Sequence, residues 1–366
     1  MDVKPGYKMT EVGVIPEEWD VSSLAPFANS TSSGTSKHSQ SIGTHNVYGS
    51  TGVIGLTEKP EYEGEAILVA RVGANAGRLQ VVSGKYGVTD NTILLKLKST
   101  ILLEYVWRKL ESLKLNRLVF GSGQPLITGS QIKLLLIPIP PLPEQRAIAA
   151  ALSDVDALIE SLEKLIAKKR DVKQATMQQL LTGAKRLPGF EGEWEVKRLG
   201  EIATVKKGEL ITSDMAVKGS IPVIAGGKLP AYYHNAANRN GPTVTISASG
   251  ANAGFVSYHS LPIFASDCST IEEGIDFSLM YLYYQLRLRQ QAIYKSQTGG
   301  AQPHVHPVDL NPIEIPMPCY EEQVKIANVL SDADSEIEAL EARRDKTKLL
   351  KQGMMQELLT GKTRLV

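Results

Sequence analysis

The chain has 366 residues, of which 42% are hydrophobic and 22% charged, and its 40 Lys and Arg against 39 Asp and Glu leave a net charge of +1. That length suits two or three domains, and the balance excludes disordered or strongly basic chains in favour of a globular protein with ample core. There is no run of 18 apolar residues, no charged start with an apolar h-region and no lipidation motif, so a cytoplasmic protein is expected; Cys268 and Cys319 belong to no framework and are expected to stay unpaired.

In chain order, Trp19 is followed by short β-rich runs at 66–69, 80–82 and 92–97 separated by Gly, Asn and Asp, which predicts a mixed α+β domain. Within it, Gly73-Ala74-Asn75-Ala76-Gly77 is too short and wrongly spaced for a dinucleotide fingerprint. It reads as a tight turn between strands, from which Asn75 can also donate to a phosphate or a base. One helix is expected over about 102–118, then a Gly-rich turn, Gly121-Ser122-Gly123-Gln124-Pro125, and a final strand.

Pro138-Ile139-Pro140-Pro141-Leu142-Pro143 cannot be helical, and Glu144 then opens a helix with a carboxylate at the positive end of its dipole. Ile148, Leu152, Val155, Ile159, Leu162 and Ile166 alternate at spacings of four and three, the pattern of a coiled-coil seam. Lys168-Lys169-Arg170 interrupt the stripe, and this basic stretch is expected to be solvated or to face a partner. Leu180-Leu181 resume it and Gly183 stops it. About 38 residues at 1.5 Å each give roughly 57 Å, more than one domain of this size can cover, so a second long helix is the expected partner.

The rest of the chain repeats this plan. Strand-like runs at 243–247 and 255–258, Gly250-Ala251-Asn252-Ala253-Gly254, a helix over about 277–294 and a turn at Gly299-Gly300-Ala301-Gln302-Pro303 lead into residues 322–365, which align without a gap with 144–187 at an offset of 178. Ile326, Leu330, Ala333, Ile337 and Leu340 fall on the seam, Arg343-Arg344 on the basic interruption, and Leu358-Leu359-Thr360-Gly361 on the helix stop. Upstream, Trp19 recurs as Trp194, Asp90 as Asp267, Gln124-Pro125 as Gln302-Pro303, and Tyr105 is matched with Tyr283. So long a period is not a solenoid repeat. The expected architecture is α+β: two globular α/β domains, 1–142 and 188–320, separated by two long helices in 143–187 and 321–366. Because 188–320 leaves the end of one helix and returns to the start of the other, the helices are expected to be antiparallel in a pseudo-two-fold coiled coil.

The runs YKMTEVGVIPEEW at 7–19, PIPPLPEQRAIAAALSDVDALIESLEKLI at 138–166, QQLLTG at 178–183, GFEGEWEVKRLGE at 189–201 and EEQVKIANVLSDAD at 321–334 closely resemble the specificity subunits of Type I restriction-modification systems, over essentially the whole chain. The resemblance implies two target recognition domains that each read half of an asymmetric bipartite DNA target, and two helical spacers that set the gap. It also implies a chain without its own catalytic site or cofactor, assembled with two methyltransferase (modification) subunits and, in the endonuclease form, with restriction/translocase subunits. The assembled complex would be an adenine-specific DNA methyltransferase and ATP-dependent endonuclease.

Motifs for chemistry in the chain itself are missing. There is no nuclease acidic pair with Glu-x-Lys, no methyltransferase Asn-Pro-Pro-aromatic loop and no P-loop. Asn311-Pro312-Ile313-Glu314 lacks the second proline and the aromatic, and Gly361-Lys362-Thr363 has Gln356 where a P-loop needs glycine. His304-Val305-His306 has no third ligand nearby and reads as a polar, groove-facing strand rather than a metal site.

Charge lends DNA binding little support, since residues 1–143 carry 14 Lys and Arg against 12 Asp and Glu and residues 188–320 carry 10 against 12. Basic residues must then cluster on one face, or partners must supply more. The expected DNA contacts are Lys37, His38, Arg71, Asn75, Arg78 and Gln124 in the first domain, and Lys206, Lys207, Arg239, Asn240, Asn252, Gln302 and His304 in the second. The near-neutral charge also suits an alternative, a duplicated coiled-coil scaffold whose domains bind protein or glycan without DNA specificity; a third reading, a nuclease with an unrecognised site, requires metal-dependent cleavage by the chain alone.

Overall fold

The computed structural model describes residues 3–37, 43–119, 126–299 and 302–365. The chain divides into two units, Met1–Leu162 with Arg343–Val366, and Glu163–Ala342. Each unit therefore contains one globular domain and a stretch of both long helices.

In the first unit the strands Ala28–Ser33, Thr92–Leu97, Ala66–Ala70 and Leu79–Val82 form an antiparallel sheet in that spatial order. Ala66–Ala70 is buried along its whole length, as a central strand covered on both faces requires. A second sheet runs Gly52–Thr57, His45–Gly49, Lys85–Val88, Tyr62–Glu63, with 45–49 parallel to 85–88. Helix α1, Leu103–Ser112, places Tyr105, Val106 and Leu110 in one core with Trp19, Ile67 and Leu95. It ends earlier than its sequence suggests, because Lys114 turns left-handed (φ +50°) into a separate 3-10 turn, Leu115–Leu118.

The second unit repeats the larger sheet strand for strand, while its smaller sheet has three strands among the described residues where the first unit's has four. Its larger sheet runs Lys206–Lys207, Cys268–Glu272, Thr243–Ser247, Val256–His259, and its smaller sheet runs Tyr232–His234, Ile221–Ile224, Phe264–Ala265, again with one parallel pairing. The first long helix, α2, is Leu142–Leu180; α3, Leu279–Leu288, takes the place of α1, and the second long helix, α4, is Tyr320–Leu358. Both long helices begin two residues ahead of their expected glutamates. In α2 this puts Pro143 in the first turn, where the missing N–H removes no helical bond.

The same clamp closes each unit. Glu144 is fully buried; its Oε2 accepts from the Trp19 indole N–H at 2.8 Å and its Oε1 from Arg364 Nε. Gln145 donates to the Pro140 carbonyl at 2.8 Å and accepts from the Leu102 N–H at 2.9 Å, which fixes the start of α2 against the start of α1. In the second unit Glu322 accepts from Trp194 at 3.2 Å and from Arg186 at 2.8 and 2.7 Å, while Gln323 donates to the Pro318 carbonyl and accepts from the Ser278 N–H. Arg364 lies just past the end of α4 and Glu144 at the start of α2, so the two helical stretches of the first unit run antiparallel. Arg186 and Glu322 make the same statement for the second.

Other contacts recur at matching positions. Lys351 pairs with Asp156 at 2.9 Å, and Lys173 with Asp334. Tyr105 donates to the Pro138 carbonyl at 2.8 Å and Tyr281 to the Pro316 carbonyl at 2.7 Å. The counterpart of Tyr105 is therefore Tyr281, not Tyr283: α3 carries tyrosines at both positions, and only the strand carbonyl they face tells them apart.

Ile148, Leu152, Ile159, Leu162, Ile166, Ile326, Leu330 and Ile337 are buried, while Val155, Ala333 and Leu340 are half-buried. Ile148 and Leu152 share a core with Trp19 and Leu358–Leu359, and Ile326 and Leu330 share one with Tyr281 and Leu180–Leu181. The ends of the helices thus pack on a globular domain and on each other at once. Much of the basic interruption also has partners in the chain: Lys169 pairs with Glu336 and Arg170 with Glu341, where a solvated or partner-facing stretch was expected. Lys168 and Arg343 are exposed, and Arg344 pairs with Asp345.

The two units solve one contact differently. Gln285 donates to the Leu181 carbonyl at 2.8 Å, whereas the first unit uses Lys109 on the Leu359 carbonyl at 3.1 Å, and burial pushes that ammonium down to about 8. Two outcomes are expected. Arg364→Ala leaves Glu144 buried with the indole alone and should lower unfolding free energy by about 2–3 kcal/mol, below a fully buried pair because Arg364 is 28% exposed; an unchanged urea midpoint contradicts this. For Lys109 the unfolded chain binds the proton more tightly than the fold, so wild-type stability should rise as pH climbs from about 8 toward 10.5. Lys109→Gln should add about 1–2 kcal/mol at pH 7 and flatten that rise, and a less stable variant with the wild-type pH slope refutes it.

Candidate nucleic-acid interface

At one end of each globular domain, loops from both sheets converge around the repeated Gly-Ala-Asn-Ala-Gly. Gly73 and Gly250 have φ of +73° and +78°, and Gly77 and Gly254 have +89° and +85°. The Gly77 N–H reaches the Ala70 carbonyl at 2.8 Å, and Gly254 the Ser247 carbonyl at 2.7 Å. A Cβ on Gly77 would lie 2.4 Å from the Asn116 nitrogen, so the glycine is required by space as well as by φ. Asn75 and Asn252 are half-buried in this turn, their carbonyls accepting from the N–H of Arg78 and Phe255.

The chain after the Gly-rich turn is laid beside it. Val72 bridges to Leu126 and Ser249 to His304, with the Ile127 N–H on the Arg71 carbonyl and the Val305 N–H on the Ala248 carbonyl, both at 2.9 Å. This brings exposed Gln302 to the second domain's loop cluster. Gln124 and His38 lie outside the described residues.

A third loop enters where the first strand of the larger sheet crosses the smaller sheet. The crossing needs glycine in both copies, since a Cβ on Gly34 would sit 2.1 Å from the Val88 carbonyl oxygen and one on Gly208 2.1 Å from that of Ser266. In the first domain the result is an open cleft of about 570 Å³ lined by Thr35, Lys37, Ser50, Thr51, Asp90 and Asn91 among others, with Lys37 exposed on it. Arg78 is exposed and donates to the Thr51 carbonyl at 3.1 Å; Arg71 is half-buried, donating to Ser33 Oγ at 3.2 Å while its Nε has no partner among the described residues.

The second domain keeps the framework and changes the chemistry. Phe255 occupies the position of Arg78, with Lys228 and Arg287 over its ring at 5.3 and 5.5 Å. Lys206 pairs with Glu272 at 2.9 Å, and Lys207 and Asn240 are exposed. Arg239 faces inward at 8% exposure and donates to Thr270 Oγ1, the Asn238 carbonyl and the Lys207 carbonyl, so it braces the Lys206–Lys207 strand. His304 stacks on His306 with ring centres 5.9 Å apart.

Burial pushes the Cys268 thiol up to about 12 and lowers His259, whose Nε2 lies 3.0 Å from Thr245 Oγ1. Among the described residues no group of three or more His, Cys, Asp or Glu is placed to hold a metal ion, and no helix is long and apolar enough to cross a membrane. Sequence reasoning missed Gly34 with Gly208, Ser50 with Thr51, and Lys228 with Phe255. None of these pairs carries a sequence signal beyond an ordinary loop; the strand crossing that assembles them is non-local.

A family model described as Type I restriction modification DNA specificity domain matches the chain twice, over residues 16–168 and 191–349. The Type I restriction enzyme MjaVIII specificity subunit of Methanocaldococcus jannaschii is 29% identical over 343 residues, covering 82% of this chain and 79% of that protein. A putative type I restriction enzyme MjaX specificity subunit from the same organism is 28% identical over 422 residues, covering 98% of this chain and 97% of that one. In fold the chain is similar to the crystal structure of the Type-I restriction-modification system S subunit from M. genitalium, with a TM-score of 0.72 at 20% identity over 97% of this chain and 98% of that chain.

The two arginines separate a brace from a surface contact. Arg239→Ala should destabilise the second unit by about 2–3 kcal/mol, because several carbonyl and hydroxyl acceptors lose their donor, while Arg78→Ala should change stability by less than about 0.5 kcal/mol. Thermal denaturation of both variants checks this, and equal losses would contradict the inward assignment of Arg239.

Proposed function

This chain belongs to the Type I restriction-modification DNA specificity family, and we propose that it selects the DNA target for a multisubunit complex without performing chemistry itself. The recognition domains, 1–142 and 188–320, each read one half of an asymmetric two-part sequence through their loop ends. The helical segments, 143–187 and 321–366, set the gap between the half-sites and carry two identical methyltransferase subunits, joined by restriction/translocase subunits in the endonuclease form.

The observation that supports this reading most directly is the division between what the halves share and what they do not. The clamp on Glu144 and Glu322 recurs partner for partner. The loop ends differ, with Lys37, Ser50, Thr51 and Arg78 in one and Lys207, Lys228 and Phe255 in the other. Two identical subunits need two equivalent surfaces, whereas two different half-sites need two different readers.

Exposed Lys37, Arg78, Lys207, Asn240 and Gln302 suit phosphate or base-edge contacts, and Asn75, Asn252 and His304 line the same ends. A net charge of only +1 leaves most of the phosphate neutralisation to the methyltransferase subunits. Each long helix has 39 residues, about 58 Å, enough to exceed the 34 Å turn after which a major groove returns to the same face of DNA.

Co-expression with the methyltransferase and single-molecule mapping of adenine methylation should give a two-part motif that vanishes when this chain is deleted. A stable, active methyltransferase complex with no such motif would overturn the proposal. Lengthening both long helices by four residues at equivalent positions adds about 6 Å and should widen the gap by about two base pairs with both half-sites unchanged; an unaltered gap would sink the spacer role.

A further inference from the structure

One carboxylate is common to both loop ends. Asp90 and Asp267 lie at the same crossing, after the parallel-paired strand of the smaller sheet and before the strand that enters the larger one. In each copy the preceding residue is tied to the neighbouring loop: the Thr89 N–H donates to the Tyr48 carbonyl at 2.9 Å and the Ser266 N–H to the Ile224 carbonyl at 2.7 Å. A Cβ on Gly226 would come within 3.4 Å of Asp267 Oδ2, so that loop touches the carboxylate.

The fold does not account for its retention. Asp90 is exposed on the 570 Å³ cleft and makes no side-chain hydrogen bond or ion pair among the described residues. The nearby N–H groups of Thr92 and Arg71 are satisfied by the backbone carbonyls of Thr89 and Asn91, so Asp90 caps nothing there. The side-chain hydrogen bond of Asp267 is with Ser249 Oγ, whose counterpart in the first unit is Val72, so that bond is not shared. Neighbours on both sides have changed, Thr89 to Ser266 and Asn91 to Cys268. Asp90 is an exposed loop residue with no structural task among the described residues, and Asp267, half-buried against Ser249, keeps the same carboxylate at the equivalent crossing.

A carboxylate is acceptor-only, and on a surface that receives phosphates it is repelled unless a donor meets it. Base edges in the major groove offer two such donors, the exocyclic amino groups of adenine N6 and cytosine N4. We propose that Asp90 and Asp267 each accept a hydrogen bond from an exocyclic amino group at one position of their own half-site, while the adjoining loop reads the neighbouring positions. That loop is polar around Ser50 and Thr51 in the first domain and carries Lys228 and an exposed Leu229 in the second. The inference rests on the DNA-specificity reading above and deepens it.

The test is the methylation motif obtained from the full chain co-expressed with its methyltransferase, wild type against Asp90→Asn, Asp90→Ala and Asp267→Asn. Each Asp90 variant should lower modification of the cognate base at one position of one half-site by ten- to hundred-fold, with the other half-site unchanged, and Asp267→Asn should do the same in the opposite half-site. The affected position names the amino group, A·T for N6 and G·C for N4. In DNA binding by the complex, a duplex whose base at that position lacks the amino group should weaken wild type by about ten-fold and leave Asp90→Ala indifferent. Unchanged motifs in all three variants overturn the proposal, as does a uniform loss at every site with base choice intact, which would assign a structural role. A wild-type complex that yields no two-part motif brings down the underlying reading instead.

Discussion

A buried carboxylate at the start of each long helix holds the structure together. Glu144 and Glu322 are fully buried, and each is neutralised by an arginine just beyond the end of the other long helix and hydrogen-bonded by an indole from the start of its own globular domain. A buried charge is tolerated only with such partners, and losing one costs more than the pair contributes. Three segments far apart in sequence are thereby fixed at one point: domain start, helix start and helix end. The adjacent Gln145 and Gln323 extend the point to the recognition-domain helices. That demand explains why these residues recur in both halves while so much else has diverged.

Below the clamp, the duplicated interior shows how far equivalent sites can drift when only a function of the contact is kept. Asp156 receives Arg108 and Lys351, whereas Asp334 receives the Tyr284 hydroxyl and Lys173. A helix-end carbonyl is met by Lys109 in one unit and by Gln285 in the other. Each replacement preserves a donor on the same acceptor, half-buried at Asp156 and Asp334, which is the part that is kept. Charge is optional there, and the first unit carries a cation where an amide suffices.

At the loop ends the logic is reversed. Backbone geometry is fixed by glycines that no side chain can replace, at 34 and 208 for the crossing and at 77 and 254 for the turn, while the side chains around them differ. A rigid frame with variable contents lets one fold present two different surfaces, as the proposed reading of two half-sites requires. Arg239 belongs to the frame, since its donors hold the strand that carries Lys206 and Lys207; Lys228 and Phe255 belong to the contents.

The duplication, the two long helices with their seam and stop signals, the strands at 66–70, 92–97 and 243–247, and the turn built on Gly-Ala-Asn-Ala-Gly were legible in the chain itself. Each is written in a local pattern, periodicity or glycine spacing, that holds whatever the rest of the molecule does. Tertiary structure alone decided that Tyr281 and not Tyr283 matches Tyr105, that Arg239 turns inward, that Lys169 and Arg170 have glutamate partners, and that Asp90, on the cleft that Lys37 also lines, has none among the described residues. These depend on which residues meet across 31 to 171 positions of sequence or across a strand crossing. A side chain's role follows from the partner it finds there, and neither its type nor its spacing carries that information.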